Sequence, residues 1–207
     1  MTDLIVLCAD KKIQASIEAV LARPQAVGIR PVSFVVEVMV GKNDPGCFHN
    51  AHGYLAPRRS EFGHALVVFD RQWDGAPDIS AAKMERTVCD KLQPTWGQSG
   101  GVVVIDPELE VWAWSDSPHV DEVLGWKDMH PSLREWLRTE GLLAPKQVKP
   151  ADPKAAIEKA VVKSQRRWTA GTCKTLAAKV GLTRCQDPSF RRFKAILQRW
   201  FAPGGQS

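Results

Sequence analysis

The sequence predicts an α/β domain with a mostly parallel four-stranded sheet, followed by a basic helical tail, and three observations carry that reading. Four short apolar runs are each followed by residues at helical spacing. Carboxylates stand where those runs stop. The charge is divided between the two ends of the chain.

Leu4–Ala9 is too short for a helix and reads as a strand buried on both faces. Asp10 then opens a helix whose apolar positions are Ile13, Ile17, Val20 and Leu21. Pro31–Val40, rich in Val and Phe, gives a second strand, and Asn43-Asp44-Pro45-Gly46 reads as a turn before a polar helical segment. Ala65–Phe69 is a third buried strand that ends at Asp70. Ile79, Ala82, Met84, Val88 and Leu92 mark a helix, and Val102–Ile105 a fourth strand. Asp106-Pro107 predicts the start of another helix, with an N-cap and a proline at its first position. Strands that alternate with helices are joined by right-handed crossovers, and such sheets bind ligands at the carboxyl ends of their strands. That rule selects Asp10, Asp70 and the segment 106–110.

Residues 1–145 carry 14 Lys and Arg against 20 Asp and Glu, a net charge of −6. Residues 146–207 carry 14 against 3, or +11. We therefore divide the chain into an α/β domain over 1–145 and a basic helical region over 146–207. In the second region Ala155–Lys163 and Cys173–Val180 read as helices, and Asp187-Pro188 starts a last one. That helix places Phe190, Phe193, Leu197, Trp200 and Phe201 on one face and basic residues on the other. Arg166, Arg167, Arg184, Arg191, Arg192, Lys194 and Arg199 are the candidates for contact with a nucleic-acid backbone, which needs only cations in reach of phosphates. An acidic protein surface, or the chain's own acidic half, would satisfy the same charges. Five cysteines without paired spacing suit reduced thiols. With no apolar run near membrane-spanning length, the sequence predicts a cytoplasmic protein with no membrane partner.

Two constellations bear on chemistry. Asp10, Asp70, Asp74, Glu108 and Glu110 are candidate catalytic carboxylates, and Asp10, Asp70, Glu108 and Glu110 could hold Mg²⁺, which prefers oxygen ligands. The simpler alternative is that Asp10 and Asp106 cap helices while the remaining acids are surface charges. Cys47, His49 and His52 lie close together, but a zinc site needs four ligands and no partner cysteine pair is present. No nucleophile elbow or glycine-rich phosphate loop occurs.

Several of these segments resemble one family. Ile5-Val6-Leu7-Cys8-Ala9-Asp10 running into a helix resembles the opening of toprim-type domains. Leu66-Val67-Val68-Phe69-Asp70-Arg71-Gln72-Trp73-Asp74 resembles their paired-aspartate strand. Asp106-Pro107-Glu108-Leu109-Glu110-Val111-Trp112, with Asp116 beyond it, resembles the Glu-x-Glu-x-Trp…Asp segment of a toprim-like family of largely uncharacterised bacterial proteins linked to phage-defence islands. Asp152-Pro153-Lys154 and Asp187-Pro188-Ser189-Phe190 are similar to that family's helical tail. The resemblance implies a toprim-like three-layer fold and a role as the small accessory protein of a methylation-associated antiviral defence system. Other subunits of that system would be its partners, and a Mg-dependent nuclease site would act on nucleic acid. The chain departs from the pattern at three places: Asp10 replaces a glutamate, Gln14 a helix acid and Gln72 the second aspartate. The same fold could therefore serve either as a nuclease or as a catalytically inactive scaffold.

Overall fold

The computed structural model describes residues 1–182 and 185–204. Strands β1 (Thr2–Cys8), β2 (Phe34–Val38), β3 (Phe62–Asp70) and β4 (Gly100–Ile105) form one sheet in the order β2-β1-β3-β4. Every pairing is parallel, with Leu4 opposite Phe34, Val6 opposite Leu66 and Val67 opposite Val102. Leu4 to Cys8 and Ala65 to Phe69 are fully buried, as runs that are apolar on both faces require.

Helices α1 (Lys11–Leu21), α3 (Asn43–Leu55) and α4 (Ala81–Trp96) are the crossovers, with a single turn, α2 (Pro24–Val27), after α1. Right-handed connections place α1 on one face of the sheet and α3 and α4 on the other. Beyond β4 come α5 (Glu110–Ala113), α6 (Pro118–Val123) and α7 (Leu133–Thr139), then α8 (Pro153–Lys163), α9 (Ala170–Lys179) and α10 (Pro188–Trp200).

Helices α9 and α10 are built into the layers. α10 lies beside β4 on the face opposite α4, and α9 packs over α1. Neighbouring glycines of β4 record this arrangement: a Cβ at Gly100 would meet Trp96 of α4, whereas one at Gly101 would lie 2.8 Å from the Trp200 ring of α10. Phe190, Phe193, Leu197 and Phe201 join the same hydrophobic core as the strands, and Trp200 is half-buried. The α/β class and the three-layer arrangement of the sequence reading are present, with an all-parallel sheet.

Two local expectations are corrected. Asp106-Pro107 does not open a helix, because Arg71 Nε takes the Asp106 carboxylate at 2.6 Å and the Pro107 carbonyl accepts from the Arg71 and Gln72 amides. The next helix begins at Glu110. Asn43-Asp44-Pro45-Gly46 is not a free turn but the first turn of α3, where Pro45 needs no amide partner.

Candidate functional site

The carboxyl ends of β1, β3 and β4 deliver the acids that the strand-end rule selects. Asp10 Oδ1 accepts from the Lys12 and Ile13 amides, each at 2.8 Å, and so caps α1. Asp70 ends β3, and its Oδ1 is inaccessible to solvent with no hydrogen-bond partner among the described residues. Its amide donates to Asp44 Oδ1 at 2.9 Å. Burial, followed by the charges of Asp44, Glu110, Asp10 and Glu108, holds the Asp70 carboxyl well above the usual carboxylate range. Burial, opposed by the Asp70 amide and reinforced by Asp10, pushes Asp44 up to about 6. Both carboxyls therefore hold their protons more tightly than an exposed aspartate does.

Two ammonium groups answer the remaining charge. Glu110, 2% exposed, accepts from Lys12 Nζ at 3.0 Å and from the Trp168 indole at 2.8 Å, both through Oε1. Burial opposes the charge on Lys12, but the Glu110 carboxylate outweighs it and leaves the ammonium with a raised pKa. Glu108 Oε1 pairs with Lys154 Nζ of α8 at 2.7 Å. Trp168 stands just before α9, so two elements of the basic region reach into the acidic site.

Of the predicted set, Asp10, Glu108 and Glu110 stand close enough for their charges to act on Asp70. Asp74 stands apart. It is exposed and lines an open depression of about 640 Å³ that Asp44 also borders, with His49 and Trp73. Asp44 does not stand out in the sequence, although it lies in the first turn of α3 just beyond the second strand, where the same strand-end rule applies. Lys12, Lys154 and Trp168 were also missed; no short-range pattern links residues so far apart.

Among the described residues no three Asp, Glu, His or Cys side chains are arranged to hold a metal ion. The donor set does not fit an oxygen-ligated Mg²⁺ as it stands, since Asp10 is turned to its helix and both glutamates are held by lysine. The Cys47, His49, His52 group does not assemble either: Cys47 is fully buried in the core and His49 is exposed, edge-on to Phe48.

The basic candidates fall into two places. Arg166 and Arg167 are exposed in the turn between α8 and α9. Arg191, Arg192, Lys194 and Arg199 belong to α10, where Arg192 pairs with Glu85 at 2.8 Å and Arg199 lies 5.9 Å from the Trp200 ring. Arg184 lies outside the described residues. Lys179 pairs with Glu122 at 2.6 Å, so Lys154, Lys179 and Arg192 all answer acids of residues 1–145.

These features define a three-layer α/β protein with a cluster of acids at its strand ends, neutralised largely from within. The chain matches no protein-family model, and neither a curated protein nor a solved structure is detectably similar to it. No helix among the described residues is long and apolar enough to cross a membrane.

Proposed function

We propose that the chain is a toprim-like scaffold that acts as an accessory component of a bacterial antiviral defence system, binding nucleic acid through its basic region. The observation that carries the scaffold reading is the pairing of Glu110 with Lys12 and of Glu108 with Lys154. An ammonium group supplies, at each glutamate, the positive charge that a catalytic cation would otherwise bring. The defence setting rests on the motif resemblance of the acidic segments, and nucleic-acid binding rests on the cations that no acid among the described residues engages.

A second reading, a divalent-metal-dependent nuclease, has one observation in its favour. The unpartnered Asp70 Oδ1 and the neighbouring Asp44 are carboxyl groups whose like charges a cation would relieve. Calorimetry with Mg²⁺ and Mn²⁺ separates the two. The scaffold reading expects no saturable heat for the parent protein and unchanged activity in cells for Glu108→Ala/Glu110→Gln. Saturable metal binding that Asp70→Asn abolishes, together with metal-dependent cleavage of a nucleic acid, would sink it.

A further inference from the structure

The basic region is not a uniform surface. Three of its cations are already paired to acids of the chain's first 145 residues. Arg166 and Arg167 have no carboxylate partner among the described residues, and with Lys179 they line a groove of about 530 Å³. Thr169, Thr172 and Thr175 also line it, and Glu122 is its only acid among the described residues. Glu122 is engaged by both Lys179 and His119, so the groove keeps the surplus positive charge of its two arginines.

The arginines are held in place by the backbone that bears them. Gln165 takes a positive φ of 55°, and the Arg166 amide donates back to the Val161 carbonyl at 2.8 Å. Ser164 Oγ donates to the Leu124 carbonyl at 2.6 Å, docking this turn on the one after α6. There the Arg166 stem lies over Gly125, so close that a Cβ would stand 2.7 Å from its Cγ. On the other side the Arg167 carbonyl accepts from Thr172 Oγ1 at 2.8 Å. Between them and α9 Trp168 is tied to buried Glu110. A turn fixed at both ends presents two guanidinium groups without the ordering cost of a free loop.

From this placement we propose that the Arg166–Arg167 groove is where the chain grips a nucleic-acid backbone, seating successive phosphodiester groups on the two guanidiniums. The inference rests on the nucleic-acid reading above and sharpens it to one site. Planar guanidinium forks match phosphate oxygens, and contact with the backbone alone reads no base sequence. α10 is the secondary surface, since Arg192 is committed to Glu85 and, among the described residues, Arg191, Lys194 and Arg199 line no groove with a second cation-bearing element as tightly held as the 164–168 turn.

The test is fluorescence anisotropy with a labelled duplex DNA and a labelled single-stranded RNA, titrated from low to moderate salt. The proteins are the parent, Arg166→Gln/Arg167→Gln and Arg191→Gln/Arg199→Gln, each checked by circular dichroism for native folding. For at least one probe, Arg166→Gln/Arg167→Gln is expected to weaken binding tenfold or more and to lower the log–log salt slope by about 2, one for each phosphate contact. The α10 variant is expected to lose less. Parent binding that survives Arg166→Gln/Arg167→Gln but falls with Arg191→Gln/Arg199→Gln would overturn the groove and leave the nucleic-acid reading standing. Failure of the parent to bind either probe would overturn both. Equal losses in the two variants would reduce the effect to bulk charge and also overturn the site. A mononucleotide that competes as well as unlabelled polymer would assign the groove to free nucleotide, against the proposal.

Discussion

Glu110 shows what a single residue's surroundings decide. A carboxylate buried in a protein must be met by charge and hydrogen bonds, or it destabilises the fold by several kcal/mol. Here Lys12 supplies the charge and Trp168 a second donor, both to Oε1. Lys12→Met would leave Glu110 uncompensated and is expected to cost about 3 kcal/mol, near the low end for a broken buried pair because the ammonium keeps some water. Trp168→Phe removes one hydrogen bond to a charged group and should cost less for that bond, about 1–3 kcal/mol. Urea denaturation of the two variants gives the order directly. Asp44 titrates in the opposite sense to an ordinary surface acid. Its folded pKa is raised from 3.8 to about 6, so the folded chain holds its proton more tightly than the unfolded one. That contribution is complete below about pH 4 and is lost as pH rises through about 6, a change of about 2–3 kcal/mol. Asp70 is shifted in the same direction and adds to it. Asp44→Asn keeps an oxygen for the Asp70 amide and removes the charge. The variant should flatten the fall in urea midpoint between pH 4.5 and 7, and a parent whose midpoint rises across that range would refute the assignment.

The elements were legible to different degrees, for reasons visible in particular segments. The strands could be read because burial on both faces makes them continuous apolar runs: Leu4–Ala9 and Ala65–Phe69 leave little room for another reading. The start of α10 could be read because Asp187-Pro188 states a cap and a first turn, and the Asp187 carboxylate does accept from the Ser189 and Phe190 amides. The same dipeptide type misled at Asp106-Pro107, where a distant arginine claims the carboxylate. Local pattern cannot report a partner 35 residues away. For the same reason four acids of the site could be listed from the sequence, while the lysines that neutralise two of them could not. The packing of α10 on β4 was equally hidden, because nothing local to Gly101 reports Trp200, which lies 99 positions further on. Gly101→Ala is therefore expected to destabilise the protein by roughly 1–3 kcal/mol through overpacking. Combined with Trp200→Ala the added cost should fall markedly, which a double-mutant cycle by thermal or urea unfolding measures.

At the scale of the whole molecule the division of charge does not mark a division of structure. The acidic first part and the basic second part share one hydrophobic core, and among the described residues three ion pairs cross between them. Arg23 adds to the seam, donating to the carbonyls of Ala177 and Val180 at the end of α9. α10 covers β4 on one face, and α9 covers the outer side of α1. A chain ending at residue 145 would thus expose the apolar residues that Phe190, Phe193, Leu197 and Phe201 now cover. Hydrophobic burial is the dominant favourable term in folding, so so large a loss exceeds the few kcal/mol of net stability a domain holds in reserve. The expectation follows for two measurements. In the full chain, tryptophan fluorescence and far-UV circular dichroism should report one coincident urea transition, because both regions contribute to one continuous core. The 1–145 fragment should bind a hydrophobic dye and unfold without a cooperative transition, whatever helix content it keeps. A fragment that unfolds sharply and excludes the dye would make the basic region an appendage after all. If the fragment fails to fold as expected, its loss of any binding activity says nothing about which cations touch the ligand. Charge-reversing or charge-removing substitutions in the folded, full-length chain are then the variants that can separate a basic surface that binds from one that only completes the fold.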